Sequence, residues 1–176
     1  MKAISNGKWV KKKMSMNNIK TLSMNPHFYS LLIQSFLTGY EKPCELKLPF
    51  MALPILLYAE SREKLVNANI KSRIDTLFQS PQIVEENRIS GKTRLSGYLD
   101  RYNSLKPFCK EALIILSSED KLVINGHRIR LIQKIDYKKS QTPMVRDWLK
   151  CAFYLGVVFS KATNDHLSYY LGVDVK

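Results

Sequence analysis

The chain has 176 residues, of which 45% are hydrophobic and 24% are charged. This length suits one domain with a hydrophobic core, and the composition excludes a wholly disordered or fibrous chain. With 28 Lys and Arg against 15 Asp and Glu, the formal charge is +13. So large an excess favours a negatively charged partner: nucleic acid, a membrane surface or an acidic protein.

The positive charge is concentrated at the start of the chain. Residues 1–20 hold six lysines and no acidic residue, so they contribute +6 of the +13. The densest run, a candidate for nucleic-acid contact, is Lys11, Lys12 and Lys13. A solvated tail, with Met14 or Met16 as an alternative start, would have the same composition. We expect residues 1–23 to be a basic flexible leader and residues 24–176 to form a single, mostly helical domain.

Membrane insertion and secretion both lack support in the sequence. The longest apolar run, from Pro49 to Tyr58, has ten residues and two prolines, whereas a spanning helix needs about 18 apolar residues. The leader has no apolar stretch of signal-peptide length. The cysteines are odd in number and far apart, as in reduced intracellular proteins: Cys44, Cys109 and Cys151. We therefore expect a cytoplasmic protein with no membrane partner.

The first predicted elements are two apolar helices. Asn25 can cap a helix and Pro26 suits its first position, after which apolar residues recur at helical spacing. Gly39 offers a stop for this helix. The apolar run that follows predicts a second helix, which we expect to be broken at Pro54.

The middle of the chain predicts further helices. A polar helix begins at Ser61, and a short one covers residues 70–78. A longer helix from Pro81 is expected to break near Gly91, and a compact apolar helix begins at Pro107.

A β-hairpin follows, because Asn125-Gly126 has the residue types of a type I′ turn. If these are the two loop residues, Leu122 pairs with Ile129, and Ile124 pairs with His127. Alternation then places one apolar face, Leu122, Ile124, Ile129 and Leu131, opposite one basic face, Lys121, Arg128 and Arg130.

Two C-terminal helices complete the predicted fold. Thr142-Pro143 begins a long amphipathic helix, and a short helix ends at Gly172. The fold class is mainly α: a compact helical domain with one β-hairpin. A winged-helix-like arrangement of the C-terminal half is an open alternative.

The sequence offers no convincing catalytic or cofactor motif. Gly91-Lys92-Thr93 resembles the end of a P-loop, but the required glycine five positions earlier is Glu86, whose charge would repel phosphate. The histidines are isolated from metal-ligand spacings, and Glu119-Asp120-Lys121 lacks the second acidic position of a nuclease cluster. We expect no metal, no cofactor and no enzymatic activity.

Basic residues in and after the hairpin form a second candidate for nucleic-acid contact. They are Lys121, Arg128, Arg130, Lys134, Lys138 and Lys139. The helix before the hairpin, PFCKEALIILSS, has few side chains that could reach bases or phosphates. Nonspecific phosphate contact, protein contact and a solvated strand face all remain open for the basic residues.

The order of the apolar blocks resembles a known family. The blocks are NPHFYSLLIQSFLTGYE, LKLPFMALPILLY with SREKL, KPFCKEALIILSSEDKLVI, and WLKCAFYLGVVFSKA before YYLGV. Over residues 24–174 they resemble the middle component of three-component ABC ATPase systems, which include Lamassu-type antiphage defence systems. The resemblance implies a non-enzymatic subunit that bridges an SMC-like ABC ATPase and an effector, often a nuclease. DNA would then be engaged through the assembled complex.

Several apolar and aromatic residues suit a subunit interface, although core packing would also explain them. They are Phe50, Met51, Tyr58, Tyr169 and Tyr170. The alternative function is a stand-alone winged-helix-type DNA-binding protein. A small hydrolase is a third hypothesis, for which no nucleophile stands out.

Overall fold

The computed structural model describes residues 25–78, 82–84, 87–89 and 95–173, so Lys11, Lys12 and Lys13 lie outside the described residues. Within these ranges the elements are α1 Pro26–Tyr40, β1 Cys44–Glu45, α2 Lys47–Leu57, α3 Ala59–Val66, α4 Ile74–Leu77, β2 Gln82–Val84, β3 Asn87–Ile89, α5 Tyr98–Ser118, β4 Leu122–Asn125, β5 Arg128–Leu131, a 3-10 turn Tyr137–Lys139, α6 Pro143–Phe159 and α7 Asn164–Leu171. The predicted fold class, a helical domain with a hairpin, is confirmed.

Helix α1 forms the centre of the core. Its first turn is capped as predicted: the Asn25 Oδ1 accepts a hydrogen bond from the His27 N–H at 2.9 Å. From Phe28 onward nearly every residue of the helix is buried. The predicted stop at Gly39 is wrong, because the helix runs through Tyr40 and ends at Glu41, whose φ is +66°.

Gly39 serves instead to bring α1 close to α6. A Cβ atom on Gly39 would overlap the backbone carbonyl of Phe153, and one on Gly156 would overlap the carbonyl of Phe36. The buried Ser35 hydroxyl donates to the Leu149 carbonyl at 2.7 Å across the same contact. The two glycines therefore set the separation of the two central helices.

Helix α2 is continuous, so the predicted break at Pro54 is wrong. Pro54 lies inside the helix and, because it has no N–H, leaves the Phe50 carbonyl without its usual intrahelical donor. The helix is nevertheless held by burial, since Met51 and the other residues from Leu48 to Leu56, except Phe50, are buried. The chain turns only at Tyr58, which is extended, and α3 follows.

The prediction for residues 81–118 is corrected in two places. Residues 82–84 and 87–89 form an antiparallel pair, with Ile83 opposite Arg88, where a helix from Pro81 was predicted. Pro107 lies inside α5 instead of beginning a helix. The proposed break near Gly91 falls outside the described residues, and the short helix α4 covers only part of the predicted residues 70–78.

The hairpin is confirmed but its predicted pairing is wrong. Ile124 pairs with Ile129 and Leu122 with Leu131, so the loop residues are Gly126 and His127. Of these two, only Gly126 has a positive φ, +59°, as in a type II′ turn. The register differs from the prediction by two residues, so the strand residues keep their predicted faces, whereas Lys121 lies in the turn before β4.

The hairpin belongs to a three-stranded antiparallel sheet of order β1-β5-β4. Cys44 of β1 lies opposite Ile129 of β5. Because β1 comes from the N-terminal part of the chain, the sheet is not confined to the C-terminal half, for which a winged-helix-like arrangement was the open alternative. Helices α6 and α7 follow the sheet as predicted, and Gly172 ends α7 with φ +67°. Among the described helices, none is long and apolar enough to cross a membrane.

Candidate partner and nucleic-acid surfaces

The hairpin presents two arginines to solvent. Arg128 and Arg130 are exposed on β5, while Ile129 between them is only 1% exposed and faces the core. Their outward position follows from strand alternation. Lys121 lies apart from this face in the turn before β4, where its Nζ is 2.6 Å from the Glu119 carboxylate. The structure therefore groups Arg128 with Arg130 and places Lys121 in a local ion pair.

Glu45 on β1 lies next to this basic strand. Burial alone would raise the pKa of Glu45, but hydrogen bonds from Lys47 and Asn164 and the charges of Lys47 and Arg128 lower it overall. The Lys47 Nζ is 3.1 Å from the Glu45 carboxylate. Glu45 is consequently ionised at neutral pH and neutralised by its own neighbours.

A second basic group lies beside an aromatic cluster that the sequence analysis missed. The rings of Tyr137, Phe153 and Tyr154 are 5.4 to 6.5 Å apart between centroids, at the edge of a cavity of about 470 Å³. Lys134 and Lys138 line this cavity, and Lys139 is exposed in the 3-10 turn. Half-buried rings beside lysines suit stacking and phosphate contact. One feature of the sequence could have indicated this cluster: Tyr137 lies between Lys134 and Lys138.

The five predicted interface residues have different environments. Tyr169 is 88% exposed on α7, whereas Phe50, Tyr58 and Tyr170 are half-buried. The Tyr58 ring is covered by the Arg101 guanidinium at 3.8 Å. Met51 is fully buried in the core, so its prediction as an interface residue is wrong. The apolar run around Met51 packs α2 inside the fold instead of displaying it.

An open groove of about 460 Å³ lies between α2, α5 and the hairpin loop. Phe50 of α2 and Tyr102 of α5 line it, together with His127 of the loop. Because these residues come from three distant segments, only the folded chain brings them together. Sequence analysis identified Phe50 alone.

The described side chains provide little for catalysis. Burial raises the pKa of Cys44 to about 12 and that of Cys151, with smaller effects from nearby charges, to about 11. Burial also raises the pKa of Cys109. All three thiols are therefore protonated at neutral pH and are poor nucleophiles. In the part of the chain that the structure describes, no group of three His, Cys, Asp or Glu residues could hold a metal ion.

One histidine does face a carboxylate. His166 Nε2 lies 3.0 Å from Asp75 Oδ1, beside Thr163. The Thr163 hydroxyl accepts a hydrogen bond from the His166 backbone N–H and caps α7. The hydroxyl thus has a structural role at the helix start.

Comparison with known proteins gives one match. The family model described as ABC-three component (ABC-3C) system Middle Component 3 matches residues 14–175. The match begins ten residues before the resemblance noted in the sequence, so residues 14–23 fall within it. No curated protein and no solved structure matches the chain.

Proposed function

Because this chain belongs to the ABC-three component (ABC-3C) system Middle Component 3 family, we propose that it bridges an SMC-like ABC ATPase and an effector in a Lamassu-type antiphage defence complex. Middle components are accessory subunits, and partnership with other subunits follows from that membership. The proposal adds the identity of those partners, with a nuclease as the effector. The observation that carries it is the family match over residues 14–175.

Features of the described residues support a subunit without catalysis of its own. The buried thiols are protonated, while an apolar groove, two arginines on the hairpin and the exposed Tyr169 remain available for contacts. DNA would be engaged through the assembled complex, since basic hairpin residues supply charge without a polar helix to read bases.

Co-expression with the neighbouring ATPase and effector genes tests the proposal. We expect one species in size-exclusion chromatography that contains all three chains. Removing this chain should leave the ATPase and effector as separate species, because the bridge is lost. If the chain elutes alone when all three are present and folded, the proposal is wrong.

A stand-alone winged-helix-type DNA-binding protein is the second candidate, favoured by the outward Arg128 and Arg130 on the hairpin. It predicts that the isolated chain prefers one DNA sequence over others at fixed salt. Contact through phosphates alone would weaken steeply with salt and show no such preference. Fluorescence anisotropy distinguishes sequence preference from phosphate contact by comparing a duplex selected for tight binding with a duplex of randomised sequence.

A further inference from the structure

We propose that the groove between α2 and α5 binds an acidic amphipathic segment of a partner subunit. The inference rests on the proposed function, because it assigns a docking site to the bridging subunit. Its support comes from the shape, lining and charge of the groove.

The groove is fixed in place by contacts between its walls. The Leu46 N–H donates to the His127 carbonyl at 2.8 Å, which ties the hairpin loop to the start of α2. The buried Tyr98 hydroxyl of α5 also donates to the Met51 carbonyl of α2 at 2.8 Å, which joins the two helices. These bonds join the three segments that form the groove, so it is present before any partner arrives.

The floor of the groove is apolar. Leu46 and Phe50 line one side, and the ring of Tyr102 lines the other. Tyr102 stacks on the buried Tyr98 with 6.3 Å between the ring centroids, and this contact holds the Tyr102 ring in place. A volume of about 460 Å³ accommodates one or two large apolar side chains of a partner.

The rim of the groove is positively charged. Lys47, Lys106 and Lys110 line it. Glu45 is the one acidic residue among the described lining residues, and its carboxylate is already bound by Lys47 and Asn164. Lys106 is held above Tyr102, with its Nζ 4.7 Å from the ring centroid. Within the described residues Lys106 and Lys110 have no ion-pair partner, so their charges are available to carboxylates.

The spacing of the groove residues along α5 indicates which kind of partner segment fits the groove. Tyr102, Lys106 and Lys110 recur every four residues, and Ile114, 66% exposed, continues this row, which winds obliquely around the helix. From Tyr102 to Ile114 the helix rises about 18 Å. A partner helix of about three turns matches this length, with apolar anchors on one face and Asp or Glu beside them. A nucleic-acid backbone would satisfy the lysines but leave the apolar floor unfilled.

Charge reversal in the co-expressed complex tests the site. We expect Lys106→Glu with Lys110→Glu to weaken binding of the partner at least about tenfold, because two attractions become two repulsions. Lys71→Glu with Arg73→Glu makes the same charge change at two exposed residues that do not line the groove and should alter binding less than about twofold. Phe50→Ala, which removes an apolar contact but no charge, should also weaken binding. Circular-dichroism melting of each variant checks that it folds.

Carbodiimide coupling, which joins lysine amines to carboxylates in contact with them, identifies the occupant. In the intact complex, we expect Lys106 or Lys110 to be coupled to a partner segment where acidic and apolar residues alternate at helical spacing. Unchanged partner affinity in both charge-reversed and Phe50→Ala variants, with no such coupling in an assembled complex, would overturn the inference but leave the bridging function intact. The inference would also be overturned if duplex DNA, but not the partner, protected these two lysines from chemical coupling. Failure of the wild-type chains to assemble would count against the bridging function itself.

Discussion

Gly39 and Gly156 are the two residues on which the central helix contact depends most directly. Glycine normally weakens a helix interior by about 1 kcal/mol relative to alanine. Here each glycine faces the backbone of the other helix, Phe153 for Gly39 and Phe36 for Gly156. Backbone atoms cannot swing aside as a flexible side chain can. The steric cost of an added methyl group therefore exceeds the gain in helix propensity.

We expect Gly39→Ala to lower the free energy of unfolding by about 2–3 kcal/mol, since α1 and α6 must separate to admit the methyl group. Gly156→Ala should have a similar effect. Urea denaturation followed by circular dichroism measures both changes. Ser117→Ala, at an exposed position of α5, is the matched control and should change stability by less than about 0.5 kcal/mol. A Gly39→Ala variant as stable as the wild type would contradict the proposed role of this contact.

Among the helices, the sequence predicted the starts of α1 and α6 well, but it predicted poorly the helix starts and breaks expected at other prolines. The Asn25 cap and the apolar period of α6 are encoded within a few residues, so they were visible. Pro54 and Pro107 were expected to break or begin helices, yet both lie inside helices. For Pro54, burial of the surrounding apolar side chains offsets the cost of the missing hydrogen bond.

Pairing between strands that are distant in sequence could not be predicted from local signals. Strand β1 has only two residues, and its partner β5 lies more than 80 positions away. The hairpin register was misjudged because Gly126 can occupy either loop position. Strand alternation still placed Arg128 and Arg130 correctly on the outer face. The groove forms where three segments that are distant in sequence meet, so no local pattern of residues could predict it.

The two exposed arginines of β5 are predicted to contact DNA. In the assembled complex, we expect Arg128→Glu with Arg130→Glu to weaken DNA binding and to reduce the slope of log affinity against log salt by about two, as two phosphate contacts are lost. Fluorescence anisotropy at several salt concentrations measures both quantities. Lys71→Glu with Arg73→Glu reverses two exposed charges before α4 and serves as the control. Unchanged DNA binding by an intact complex would assign the arginine face to solvent.

For the whole molecule, the formal charge of +13 has at least two separate sources. The first 20 residues contribute +6, and the rest of the chain carries 22 basic against 15 acidic residues. In the described part, basic side chains rim an apolar groove and cover the outer face of a hairpin, and part of the charge is neutralised locally, as at Lys121 and Lys47. This distribution suits a subunit with distinct surfaces for protein and nucleic acid better than a single uniform binding face.

Deleting residues 1–13 tests whether the leader is separable from the folded body. This deletion removes five of the six leader lysines but ends before the family match begins at residue 14, and the capped start of α1 lies further on at Asn25. We therefore expect the melting temperature to change by less than about 2 °C and assembly with the partner subunits to persist, because no described core contact is removed. Circular dichroism and size-exclusion chromatography measure these two results.

The DNA affinity of the complex that contains the shortened chain then shows whether the lysines of the leader contact DNA. If Lys11, Lys12 and Lys13 contact phosphates, the deletion lowers both the affinity and its salt dependence, and substituting the same three lysines by glutamine in the full chain reproduces part of the loss. A solvated tail would leave both quantities unchanged. Loss of assembly or a large fall in melting temperature would show instead that residues 1–13 stabilise the folded subunit, which would contradict the division of the chain at the leader.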